Sequence, residues 1–198
     1  MKEYTKKNAE IIDRWISEGW EWGQPISIEL YHKAQKGEWD VVLTPTKVVP
    51  HEWFGDTLKG KKLLGLASGG AQQMPIFAAL GAECTVLDYS TKQIESEVLF
   101  AKQAGYPITT VQYDMTQPLP FEDGSFDIIF HPVSNCYVED IDSIFKECYR
   151  ILKPGGIMLS GFDNGINYIT NDETTIENSL PFNPLINPDQ MKQSIEND

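Results

Sequence analysis

Two acids and a run of small residues are the chain's best candidates for chemistry. Asp88 closes the apolar run TVLDYS at residues 85–90, and Asp114 closes QYDM at residues 112–115. Ala67, Ser68, Gly69 and Gly70 follow the earlier apolar run KKLLGL. The order is apolar run, small-residue turn, helical pattern, second apolar run, acid. In a parallel sheet, small residues after the first strand let the backbone approach a ligand, and an acid at the next strand tip accepts both hydroxyls of a ribose. An acid one strand further on can accept from the amino group of an adenine, while the next backbone N–H meets a ring nitrogen. Each acid also has a plainer use, Asp88 beside a helix cap and Asp114 in a turn. Their strand-tip positions favour the nucleoside.

These residues need a scaffold, and the hydrophobic pattern supplies one. Residues 62–67 predict strand 1, 72–80 a helix ended by Gly81, and 83–87 strand 2. A helix over 91–104 stops at Gly105, strand 3 spans 108–113, and a proline-rich loop TQPLPFEDGS leads to strand 4 at 126–130. A helix over 140–152 ends at Lys153-Pro154-Gly155-Gly156, read as a helix stop, and strand 5 is 157–161. Short β-α repeats with near-continuous apolar strands predict an α/β fold, a doubly wound, mainly parallel Rossmann-like sheet in the order 3-2-1-4-5. The expected layout is one structural domain in three stretches. Residues 1–60 form an N-terminal helical lid or extension, with amphipathic helices over 8–20 and 26–36. Residues 61–162 form the cofactor-binding core, and 163–198 an irregular tail. Core packing is the default use of Trp15, Trp20 and Trp22, with a lid as the functional alternative.

At 198 residues the chain fits one domain with a sizeable core. Its net charge of −13 repels polyphosphate, and no basic run offsets it, which argues against a nucleic-acid partner. No apolar run approaches the ~20 residues a membrane span needs, and the N-terminus lacks the apolar core of a secretory signal. Cys84, Cys136 and Cys148 are odd in number and widely spaced, and His32, His51 and His131 show no ligand spacing, so no metal is expected. Reduced thiols and the missing signal point to the cytoplasm.

The turn Ala67-Ser68-Gly69-Gly70-Ala71-Gln72-Gln73 lacks the G-x-G-x-x-G spacing of dinucleotide folds, and no Gly-Lys-Ser/Thr follows to make a P-loop. LLGLASGGAQQ, TVLDYS, QYDM, LPFEDGSFDIIF and RILKPGGIMLSG occur in order and in register over residues 61–161. Together they resemble the successive motifs of class I S-adenosylmethionine-dependent methyltransferases, in particular the small-molecule group known as methyltransferase type 11 domains. The resemblance implies that Ala67, Ser68 and Gly69 wrap the methionine portion of S-adenosylmethionine and that Asp88 holds the ribose. Tyr89 would lie on the adenine face, Asp114 take its amino group, Met115 cover the ring, and His131 touch the methionine end, largely through its backbone. Gln93, on the first turn of the next helix, either meets the ribose or is solvated. Two departures stand out: Gly65 replaces the family's acid, and Ala67 replaces its first glycine, a change accommodated at negative φ.

The implied reaction is in-line methyl transfer to a small-molecule acceptor, with S-adenosylhomocysteine as product. No catalytic residue is assigned. His131 is the positional candidate for a base, against a plain backbone contact with an outward ring, and Asn135 and Tyr137 are candidates for the acceptor side. The family's final antiparallel strand pair is expected to be missing. That would leave strand 5 at an exposed edge, where a homodimer could pair. The rival readings are a non-catalytic S-adenosylmethionine-binding protein acting through partners and an NAD-dependent dehydrogenase.

Overall fold

The structure is a computed structural model that describes residues 3–170 and 174–196. The chain divides into two compact units that meet between Phe162 and Asp163. The first opens with helix α1 (Glu3–Ser17), a short 3-10 turn at Glu21–Gly23, and helix α2 (Ile28–Ala34). A two-stranded antiparallel hairpin follows, β1 (Val42–Thr44) and β2 (Lys47–Val48), where the sequence reads as merely extended and broken by prolines.

The α/β alternation then runs β3 (Lys62–Leu66), α3 (Met74–Ala79), β4 (Glu83–Asp88), α4 (Thr91–Ala104), β5 (Thr109–Gln112), β6 (Phe126–His131), α5 (Ile141–Ile151) and β7 (Leu152–Ser160). The main sheet has the order β5-β4-β3-β6-β7, and every pairing in it is parallel. This is the expected 3-2-1-4-5 topology. Alternate residues of the central strands feed two apolar layers. Leu63, Cys84, Val86, Ile128 and Phe130 pack with α3 and the hairpin, while Leu64, Leu66, Leu87 and Ile129 pack with α5. That two-sided burial is why the strands read as continuous apolar runs.

Two boundaries differ from the sequence reading. Helix α1 begins earlier than residue 8, because Glu3 and Lys7 pair one turn apart at 3.1 Å and Thr5 is buried. Strand β7 begins at Leu152 rather than 157. Leu152 pairs with Phe126 and Ile157 with Ile128, so residues 153–156 are bulged out as an irregularity within the strand rather than ending a helix before it. Lys153 in that bulge pairs with Asp127 at 2.8 Å, and Asp127 also accepts the Lys62 N–H.

The second unit carries a 3-10 turn at Ile166–Ile169, an antiparallel bridge between Thr170 and Ile176, and helix α6 (Pro188–Glu196). The tail is therefore not wholly irregular. Asn187 caps α6 by accepting the Asp189 and Gln190 N–H groups at 3.0 and 3.3 Å, and Pro188 supplies the preset first helical position. No helix among the described residues is long and apolar enough to cross a membrane.

Candidate functional site

The carboxyl ends of β3, β4, β5 and β6 carry the four groups that the sequence singled out: the Ala67–Gly70 turn, Asp88, Asp114 and His131. In an open parallel sheet these ends line the crevice where ligands bind.

Asp88 ends β4 and is buried, and each of its oxygens holds one backbone N–H. Gly69 donates to Oδ2 at 3.0 Å and Ser90 donates to Oδ1 at 2.9 Å. Burial raises its pKa, and the backbone donors oppose that rise. The Tyr89 N–H also bears on it, and a carboxylate offers about four acceptor positions, so acceptor capacity is left for a ribose hydroxyl. The cap of α4 is a neighbour: Ser90 Oγ accepts the Gln93 N–H at 3.1 Å. Ser90 is thus the cap residue of α4, and Asp88 stands beside it and accepts its N–H, the plainer use that the sequence also allows.

The turn after β3 departs from expectation at Ala67, whose φ is +48 rather than negative. Its N–H donates to Leu87 O at 2.7 Å, and its carbonyl accepts Ser134 Oγ at 2.8 Å, so neighbours on both sides fix the strained geometry. Ala71 is also left-handed at φ +57. Gly69 has no room for a side chain, because a Cβ there would lie 2.5 Å from Gln93 Cβ and 3.0 Å from Asp88 Oδ2. Gly65 is equally constrained. A Cβ there would lie 2.8 Å from Met74 Sδ, so methionine fills the space where the family carries its acid.

Asp114 is buried and already served by the protein. Its Oδ1 accepts Thr116 N–H at 2.9 Å and Thr116 Oγ1 at 2.7 Å, and its Oδ2 accepts Thr5 Oγ1 at 2.8 Å. Thr116 makes the turn contact that sequence alone suggests; Thr5, from α1, does not follow from any local pattern. The same helix reaches the neighbouring tip, where Asp13 Oδ1 accepts Ser90 Oγ and Lys92 N–H. Helix α1 thus lies across the tips of β4 and β5.

The other candidates sort by burial. Met115 packs with Leu64, Leu66, Leu87 and Leu119 in the apolar layer under α5. Tyr89 is half-buried between β4 and α4. Gln93 is buried against the turn rather than solvated, and its Oε1 has no hydrogen-bond partner among the described residues. His131 is fully buried, which overturns the picture of an outward ring. Its Nδ1–H donates to Leu66 O at 2.8 Å, its Nε2 has no partner among the described residues, and burial lowers its pKa. Asn135 donates to Gly161 O at 2.6 Å, tying the loop after β6 to the end of β7.

Sequence reasoning missed a cleft of about 790 Å³ lined by Trp22, Ile26, Trp39, Val41, Gln73 and Ile76, among others. Gln73 joins it to the turn, since its Oε1 accepts Ser68 Oγ at 3.2 Å. The tryptophans and a break in helical periodicity before residue 28 were the available signals, but nothing local tells which face they line.

Comparison with known proteins points one way. The profile of the family described as "Methyltransferase domain" matches residues 64–160, the span from β3 to β7. An uncharacterized methyltransferase, YbaJ, from Bacillus subtilis (strain 168) is 39% identical over 188 residues, covering 92% of this chain and 73% of that protein. A ubiquinone biosynthesis O-methyltransferase from Proteus mirabilis is 31% identical over 101 residues, 51% of this chain, and the match spans only 41% of that protein's length. Among solved structures, an S-adenosyl-L-methionine-dependent methyltransferase from Methanococcus maripaludis superposes with TM-score 0.53 and 21% identity, covering 100% of this chain and 74% of that one; at that identity the likeness bears on the fold. The chain belongs to the methyltransferase domain family, whose cofactor is S-adenosylmethionine.

Proposed function

We propose that this chain binds S-adenosylmethionine across the tips of β3, β4 and β5 and transfers its methyl group to a small-molecule acceptor by in-line displacement. The observation that carries this reading is Asp88: a buried strand-tip carboxylate held by backbone N–H donors from the turn and from the start of α4, with acceptor capacity left for the ribose. Ala67, Ser68 and Gly69 would flank the methionine portion, with Gln93 behind the turn. Tyr89, Asp114 and Met115 would border the base. An adenine amino group at Asp114 Oδ2 would share that oxygen with the Thr5 hydroxyl or displace it.

The bound sulfonium supplies an already activated methyl group. The chain's own task is then to align the acceptor at about 3 Å and keep water out. His131 is fully buried, so its ring forms part of the wall at the tip of β6; its Nδ1–H is committed to Leu66 O, which leaves Nε2 as the nitrogen that carries the lone pair. We assign the acceptor to the cleft beside Trp22 and Trp39. Its volume lies in the ~300–1,000 Å³ range of small-molecule sites, and Gln73 links its wall to the turn.

One observation favours a second reading, a cofactor-binding protein without transfer activity: Asp114 is satisfied internally by Thr5 and Thr116. Co-crystallisation with S-adenosylhomocysteine tests the site. The ribose hydroxyls on Asp88 and the adenine beside Asp114 are expected. A nucleoside seated elsewhere would overturn the assignment, and release of S-adenosylhomocysteine from S-adenosylmethionine with an added acceptor would exclude the second reading.

A further inference from the structure

Helix α4 turns one face toward the turn after β3, and three of its residues grip that turn. Gly70 N–H donates to Gln93 O at 3.1 Å, Ser96 Oγ donates to Gly70 O at 3.4 Å, and Ala71 N–H donates to Glu97 Oε1 at 2.6 Å. Glu97 is completely buried, an unfavourable place for a carboxyl group unless it serves a partner. Its partner, Ala71, is held at φ +57, a conformation that a residue with a Cβ disfavours. The short bond from the Ala71 N–H to Glu97 offsets this disfavour from the side of α4, and the Ile26 N–H holds the Ala71 carbonyl at 3.0 Å on the other side.

We propose that Glu97 is a positioning residue for the cofactor: by taking the Ala71 N–H it fixes the left-handed turn that keeps Gly69 against Asp88. The inference rests on the reading of that turn and Asp88 as the S-adenosylmethionine site. Among the described residues no cation bears on Glu97. The groups that bear on it are Asp88 and Cys84 on β4 and Tyr106 after α4, with Tyr31 of α2 stacked on Tyr106 at 5.4 Å between ring centroids. Burial, chiefly, pushes its pKa up to about 8. The neutral acid keeps a carbonyl oxygen for Ala71 and turns its second oxygen, Oε2, from an acceptor into a donor. As acceptors, Oε2 and Gln93 Oε1 both lack partners among the described residues, one helical turn apart. A glutamine has the same shape and the same acceptor, so it should substitute.

The experiment compares wild type, Glu97→Gln, Glu97→Leu and Glu97→Leu combined with Ala71→Gly. It reads amide hydrogen exchange in the ligand-free protein and calorimetric affinity for S-adenosylhomocysteine. Glu97→Gln is expected to keep the turn protected and its affinity within about 3-fold of wild type. Glu97→Leu is expected to expose residues 69–71 to exchange while β3 and β4 stay protected, and to weaken binding by about 10-fold or more. Ala71→Gly, which removes the Cβ cost of the left-handed turn, is expected to restore part of that loss. A folded Glu97→Leu with a protected turn and wild-type affinity overturns the proposal. So does a Glu97→Gln that loses affinity by about 10-fold, a readout that stands if the leucine variant does not fold. If the wild type itself binds nothing, the reading of the site has failed, and the exchange comparison still judges Glu97 alone.

Discussion

Thr5 in the first helix donates its hydroxyl to Asp114, 109 residues away in sequence, at 2.8 Å. The bond engages one oxygen of the carboxylate to which the cofactor reading assigns an adenine amino group. The ligand-free protein thereby satisfies a buried carboxylate with its own side chain, and a hydrogen bond to a charged group is worth roughly 1.5–3 kcal/mol.

Replacing Thr5 by Val leaves Asp114 Oδ2 without this donor and without this competitor. The ligand-free variant is expected to be destabilised by about 1–3 kcal/mol. Its affinity for S-adenosylhomocysteine is expected to rise, because the adenine amino group then satisfies an unpaired buried oxygen. Thermal melts with and without ligand measure both. A variant that melts lower and also binds more weakly would show that Thr5 supports the site.

Glu97 and His131 give stability slopes of opposite sign against pH. The carboxyl of Glu97 rises from 4.5 to about 8 in the fold, so its contribution is complete below 4.5, falls by up to ~1.4 kcal/mol per pH unit between those values, and is gone once pH has passed about 8. Burial lowers His131 below 6.5, so its contribution is present above 6.5 and is lost as pH falls below that value. Denaturant titrations from pH 5 to 9 should show Glu97→Gln removing the part of the decline that runs from pH 5 to about 8, with no change of slope above that. An unchanged slope from pH 5 to about 8 would place the titrating group elsewhere.

Gly65 and Met74 form a packing pair. Gly65→Ala puts a Cβ 2.8 Å from a fully buried sulfur, and overpacking of this kind costs about 1–3 kcal/mol. Combining it with Met74→Ala is expected to cost less than the two changes added separately, a coupling readable in a double-mutant cycle. Strict additivity would mean that Met74 swings away freely.

The sheet order was legible because apolar runs, turn residues and acids recur at β-α spacing, and the five parallel strands follow from that pattern. Asp88 was legible for the same reason, as a strand-tip acid. The left-handed Ala67 was not, since alanine normally avoids positive φ; only the bonds to Leu87 and Ser134, distant in sequence, hold it there. Nor was the burial of His131, whose ring turns to Leu66 across the strand pair. The partners of Thr5 and Glu97 are likewise tertiary, and a local pattern cannot report them. Helix α6 did carry a local signature, Asn187-Pro188-Asp189, outweighed by the prolines around it.

The central claim is that Asp88 and the turn beside it hold the ribose of S-adenosylmethionine. Isothermal titration of wild type and Asp88→Ala with S-adenosylhomocysteine, each checked by its melting profile, tests it directly. The account predicts binding by the wild type and a loss of about 10- to 100-fold in the variant. Equal affinity in a folded variant would contradict it.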